Sequence, residues 1–123
     1  MHRSYQLVIG VARPIRVQIG RLGVFRLAAG RYVYTGSARR NLEARIARHA
    51  RREKRLRWHI DYLLAHFDAQ LIQVRRSQLP ECALNRRTRG TIAVPGFGAS
   101  DCRAGCISHL KYRGPLPSSG DCA

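Results

Sequence analysis

The sequence predicts a mixed α/β domain of the α+β kind, a small and mainly antiparallel sheet flanked by helices. Three observations lead there. The first third of the chain consists of short apolar runs punctuated by Gly and Pro, and Ile15–Ile19 (IRVQI) alternates apolar and polar residues as a half-buried strand does. Helical spacing follows, with Leu42, Ile46 and His49 recurring on one face. Short β-like runs then return between and after the helical segments. The length of 123 residues and the hydrophobic content of 45% suit one globular domain with a modest core.

In chain order, Tyr5–Val11 (YQLVIGV) reads as a buried strand, broken by Pro14. Ile15, Val17 and Ile19 share a face of the next strand. Gly20 and Gly23 flank a turn, Val24–Leu27 forms a further short strand, and Gly30 marks the turn before Arg31–Thr35. That last strand sets Tyr32 and Tyr34 on one face and Val33 on the other. Together these segments are expected to form an antiparallel meander. Gly36 and Ser37 end it. Asn41 is a fitting N-cap and Glu43 lies in the first turn, where the helix dipole favours an anion, so residues 41–53 read as a helix. A second helix is expected over Leu56–His66, with Trp58, Tyr62 and Leu63 apolar. Gln70–Val74 reads as a strand, and Pro80 opens a short helix over Glu81–Arg89. Thr91–Val94 leads into a Gly- and Pro-rich loop (PGFGASDCRAGC), after which Ile107–Tyr112 can close the sheet. The domain therefore covers residues 1–113, and the Pro-, Ser- and Gly-rich residues 114–123 form a flexible tail.

The net charge of +16, from 23 basic against 7 acidic residues, calls for an anionic partner. All the basic residues but Lys54 and Lys111 are arginines, which fork two hydrogen bonds onto a phosphate. Nucleic acid fits best, with DNA favoured. A membrane fits less well. No apolar run approaches the roughly 18 residues of a span, and no basic helix has a bulky aromatic apolar face. The charged, apolar start of the chain is cut by Arg13 and Pro14 and alternates like a strand, so it does not read as an export signal. The expected location is the cytoplasm, in association with the nucleoid.

Cleaving a phosphodiester requires a group to activate water, a cation at the leaving oxygen and positive donors on the phosphate. Tyr34 stands at a strand end, just before the Gly36-Ser37 turn. The following helix places Arg45 and His49 four residues apart on one face, and its start can aim backbone N–H groups at a phosphate. Arg39, Arg40, Arg48, Arg51, Arg52, Arg55 and Arg57 form either a phosphate-tracking face or a merely solvated one. His59 and Asp61 point in different directions on their helix, which suits a structural hydrogen bond better than a shared site, and Trp58 reads as core.

Four cysteines are present: Cys82, Cys102, Cys106 and Cys122. Cys102, Cys106 and His109, with Cys82 as a fourth ligand, have a spacing compatible with a structural zinc. Buried inert thiols or redox chemistry fit the same spacing.

The run Tyr34-Thr35-Gly36-Ser37, Asn41-Leu42, Arg45 and His49 resembles the second half of the GIY-YIG nuclease signature, and Ser4-Tyr5-Gln6 resembles its first half. Further motifs are similar to one branch of that superfamily, domain of unknown function 123. These are Gly36-Ser37-Ala38, Trp58–Leu64, Glu81-Cys82, and Phe97–Cys102 with Ser108-His109-Leu110. The resemblance spans residues 4–112. It departs at Arg3, where the superfamily has glycine, and in the hairpin inserted between Tyr5 and Tyr34.

The resemblance implies a GIY-YIG-like fold with an inserted N-terminal hairpin. It implies a metal-dependent endonuclease that hydrolyses DNA phosphodiester bonds. Tyr5 and Tyr34 would help activate water, with Arg45 lowering a tyrosine's pKa and His49 taking its proton. Tyr32 is the rival to Tyr34. Arg45 would hold the scissile phosphate, with Ser37, Arg39, Arg40, Arg48 and Arg52 along the nucleic acid. Glu81, with Asp101 as a second candidate, would bind one divalent metal, magnesium or manganese. A non-catalytic nucleic-acid-binding module, or an accessory to a DNA-repair enzyme, is the alternative on the same scaffold. Relatives of the branch occur fused to a repair glycosylase.

Overall fold

A computed structural model of the chain describes residues 3–51, 54–99, 102 and 105–116. Arg52, Glu53, Asp101, Cys122 and the end of the tail, residues 117–123, lie outside the described residues.

Strand β1 (Ser4–Val11) is buried along its whole length. It runs antiparallel to β4 (Gly30–Ser37) on one side and to β5 (Ala69–Ser77) on the other, and β6 (Leu110–Tyr112) pairs with the outer side of β4. The sheet order is β5-β1-β4-β6, all antiparallel. A strand with neighbours on both edges and cover on both faces needs no polar face, which is why YQLVIGV is a nearly continuous apolar run.

The expected meander is not what forms. Strands β2 (Ile15–Ile19) and β3 (Gly23–Leu27) pair with each other in a separate two-stranded sheet, and β1 pairs across them with β4. Alternation along a strand reports which face is buried, not which strand lies alongside. In β2 the pattern is obeyed, with Ile15, Val17 and Ile19 buried and Arg16 and Gln18 exposed.

Helix α1 (Leu42–Ala50) buries Leu42, Ile46 and His49. Asn41 caps it from a left-handed backbone conformation (φ 51°), its side-chain oxygen accepting the Ala44 N–H at 3.1 Å. Helix α2 (His59–Leu64) is shorter than the expected Leu56–His66. The Asp61 carboxylate accepts the backbone N–H groups of Arg57 and Trp58 at 2.8 and 2.9 Å, which fixes the entry to the helix there. Helix α3 (Glu81–Arg87) begins after Pro80 as expected and ends two residues early, where Thr88 turns extended and its hydroxyl donates to the Leu84 carbonyl. Thr91–Val94 forms no strand; Thr91 makes a single bridge to Tyr112. The tail is anchored at its start, since the Gly114 carbonyl accepts the Arg31 N–H at 2.8 Å.

The core lies between the sheet, α2 and the β2–β3 hairpin. Leu7, Ile9, Ile19, Ile60, Leu63, Phe97 and Leu110 are fully buried in it. With α1 and α3 docked beside the ends of β1 and β4, this frame supports the site. Among the described residues, no helix is long and apolar enough to cross a membrane.

Candidate functional site

Pairing of β1 with β4 puts Tyr5 opposite Gly36 and Leu7 opposite Tyr34, so the two tyrosines share a face of the sheet despite the inserted hairpin. Their ring centroids are 6.5 Å apart. Gly36 makes room for both: a Cβ at that position would lie 2.7 Å from the Tyr5 Cζ and hydroxyl and 3.0 Å from the Tyr34 ring. Tyr32 is engaged elsewhere. Its hydroxyl donates to the Ala28 carbonyl at 2.7 Å and its ring packs on Tyr112. Tyr34, not Tyr32, faces the site.

Helix α1 brings His49 and Arg45 to the tyrosines. The Tyr5 hydroxyl lies 2.7 Å from His49 Nε2. Arg45 donates from Nη1 to the Ser37 carbonyl at 2.8 Å, and its guanidinium lies 4.6 Å from the centre of the Trp58 ring. From Ser37 the network continues across the strand end. The Ser37 hydroxyl donates to Glu81 Oε1, and His109 Nδ1 donates to Glu81 Oε2 at 2.5 Å. Glu81 thus links α3 to β4 and to the residue preceding β6.

These groups border an open cleft of about 820 Å³, whose wall includes Tyr34, Ser37, Arg39, Arg45, Glu81 and His109. Arg57, one of the arginines expected along the phosphate, also lines it, as do Trp58 and His59, which had no expected place there. Trp58, expected in the core, is instead a half-buried shelf under the guanidinium groups of Arg45, Arg48 and Arg57. Arginines on both sides of a lone tryptophan were the available signal. His59 accepts the Gly98 N–H at its Nδ1.

Other expected residues lie elsewhere. Tyr5 is 1% exposed and sits behind the cleft wall. Arg48 does not form part of a free phosphate-binding face: its Nη1 and Nη2 donate to the fully buried Asp61 carboxylate, at 2.8 and 3.0 Å. This is the structural hydrogen bond expected of Asp61. Arg40 is exposed and does not line the cleft.

Electrostatics qualify the expected roles. Burial pushes the pKa of both Tyr5 and Tyr34 above that of free tyrosine, and the nearby Arg45 charge offsets only part of this. The expected lowering by Arg45 is therefore outweighed, and both phenols are protonated at neutral pH. Burial, aided by the Lys54 charge, pushes His49 down to about 4, so it is neutral and can accept the Tyr5 proton. Burial alone would raise Glu81, but its hydrogen bonds from His109 and Ser37 and the Arg45 charge hold it below the usual carboxylate range.

Two kinds of cation donor meet at this wall. Glu81 offers hard carboxylate oxygens, and each retains acceptor capacity beyond its protein partner. With water filling the remaining positions, that suits magnesium or manganese. Beside it, Cys82, Cys102, Cys106 and His109 bring their ligating atoms within 4.8 Å of one another. The three are thiols, not disulfides, and Cys82 Sγ lies 3.5 Å from Cys102 Sγ. Soft sulfur with imidazole suits zinc and not magnesium.

No curated protein and no solved structure matches the chain. A family match covers residues 4–122, and through it the chain belongs to the family described as Domain of unknown function DUF123.

Proposed function

We propose that the cleft binds nucleic acid and hydrolyses its phosphodiester bonds as a metal-dependent endonuclease of the GIY-YIG type. One observation carries this reading: Tyr34, Arg45 and Glu81, drawn from a strand and two helices far apart in sequence, face a single cleft in a chain of net charge +16.

Arg45 is held in place by the Ser37 carbonyl and the Trp58 face, so its orientation is fixed before substrate arrives. Its charge, with Arg39 and Arg57 on the same wall, neutralises the phosphate. Tyr34 orients the attacking water. Tyr5 hydrogen-bonds neutral His49, so that its oxygen can take the proton lost by the attacking water as its own proton passes to His49 Nε2. Because both phenols rest protonated, that transfer accompanies attack and does not precede it. A hard divalent cation, magnesium or manganese, would be held by Glu81 and would neutralise the leaving oxygen.

DNA is the favoured substrate. A cleft in one small domain has little surface for reading bases, so the shape of the nucleic acid, or a DNA-repair enzyme as partner, would direct cutting. A nucleoid-associated place in the cytoplasm would follow.

The test is nicking of a supercoiled plasmid with magnesium or manganese. The wild-type chain should cut, whereas Arg45→Ala and Glu81→Ala should lose cutting while remaining folded. A second reading, a binding module without catalysis, is favoured by the raised pKa of both tyrosines. It predicts binding that weakens steeply with salt, without cleavage in either metal.

A further inference from the structure

We propose that Cys82, Cys102, Cys106 and His109 Nε2 form a zinc site, with Glu81 as the carboxylate that orients His109 from behind. The proposal does not depend on nuclease activity. It rests first on the donor set. Three thiols and one imidazole, from α3, the Gly-rich loop and the residue before β6, place their ligating atoms within 4.8 Å of one another. In a tetrahedral site with zinc–sulfur bonds of about 2.3 Å and a zinc–nitrogen bond of about 2.0 Å, ligating atoms stand roughly 3.5–3.8 Å apart. The 3.5 Å separation of the Cys82 and Cys102 sulfurs already lies in that range. The widest separation has to close by only about 1 Å.

The second observation is independent. His109 is 1% exposed, yet its Nε2 has no hydrogen-bond partner. A buried polar nitrogen left without a partner is costly. Nδ1, on the other side of the ring, is fully engaged: it donates to Glu81 Oε2 at 2.5 Å and lies 3.2 Å from the Thr35 carbonyl. This is the arrangement of a zinc-bound histidine, whose second nitrogen donates to a carboxylate while the first is presented to the metal. A zinc ion on Nε2 removes the orphan and uses the tautomer that Glu81 selects.

The site also fixes the cleft. Glu81 is tied through His109 to the metal and through Ser37 to the carbonyl that holds Arg45. Zinc therefore acts as a staple joining α3, the Gly-rich loop and the residue before β6 at the cleft wall, and its loss frees Glu81 to reorient.

The experiment needs no nucleic acid. The full chain, purified under reducing conditions, is analysed for metals and then titrated as apoprotein with Co²⁺ and with Zn²⁺ in competition with a chromophoric chelator. The expected result is one zinc per chain and a tetrahedral cobalt spectrum with sulfur-to-metal charge transfer. Cys106→Ser should lose both. Glu81→Gln should keep the stoichiometry and the spectrum while weakening zinc binding by about 10- to 100-fold. Should the cysteine variant fail to fold, alkylation of the wild-type chain supplies the same answer: Cys82, Cys102 and Cys106 are protected until a chelator is added. Zinc well below one equivalent, a cobalt spectrum without sulfur charge transfer, iron with sulfide in place of zinc, or a Cys82–Cys102 disulfide in the metal-free chain would each overturn the proposal. Wild-type affinity in Glu81→Gln would overturn the role of Glu81.

Discussion

Replacing Arg48 by alanine should destabilise the fold more than replacing any exposed arginine. The Asp61 carboxylate beneath it is fully buried and accepts four hydrogen bonds, two from Arg48 and one each from the Arg57 and Trp58 backbone. Removing one partner of a buried ion pair typically costs about 3–5 kcal/mol, because the other charge is left uncompensated. Here the two backbone donors remain, so the lower end applies, about 3 kcal/mol. With unfolding entropy of roughly 2.1 cal/mol/K per residue, that lowers Tm by roughly 12 °C. Urea unfolding at pH 7 measures it directly, with Arg40→Ala as the exposed control. Arg48→Ala/Asp61→Asn should recover part of the loss, since the neutral amide still accepts the backbone N–H groups and leaves no buried charge. A loss under about 1 kcal/mol for Arg48→Ala, or a double variant worse than the single, would mean that Arg48 does not compensate a buried Asp61 charge.

Gly36→Ala should overpack the two tyrosines, because its Cβ would approach the Tyr5 ring to 2.7 Å; a cost of about 1–3 kcal/mol in urea unfolding is expected, although alanine is otherwise preferred to glycine within a strand. The pKa of His49 is depressed to about 4, against 6.5 in the unfolded chain, so the unfolded state binds more protons between those values. Stability should therefore fall by roughly 3 kcal/mol as pH drops from 6.5 to 4, and His49→Gln should flatten that slope. In DNA binding, Arg57→Gln should lower the slope of log K against log salt by about 1, whereas Arg48→Gln, studied where it is folded, should leave the slope unchanged.

Much of the frame was legible in the sequence. Ile15–Ile19 was placed to the residue because its alternation matches the burial it produces. Helix α3 announced its start through Pro80. Strand pairing was not legible, since β1 joins β4 across an intervening hairpin, and periodicity carries no information about such distant partners. Helix α2 was read too long because Asp61, a residue that propensity treats as surface, turns inward and caps its own entry. Within the site, the register of Tyr34, Arg45 and His49 was readable from helical and strand spacing. The removal of Arg48 from the phosphate face and the addition of Trp58 and His59 to the cleft were not, because both follow from how α2 docks beside α1. The gathering of three cysteines around His109 depends likewise on a long loop returning to α3, which spacing alone left open.

The most direct test of the cleft as a phosphodiester-cutting site is single-turnover cleavage of DNA in magnesium, with protein saturating, comparing wild type with Arg45→Ala. The wild-type chain should cut in a metal-dependent way, at a rate about 10²- to 10³-fold above that of the variant at equal DNA occupancy. Equal rates in the two proteins, or a folded wild-type chain that binds DNA and leaves every bond intact in both magnesium and manganese, would contradict a phosphodiester-cutting role for the cleft.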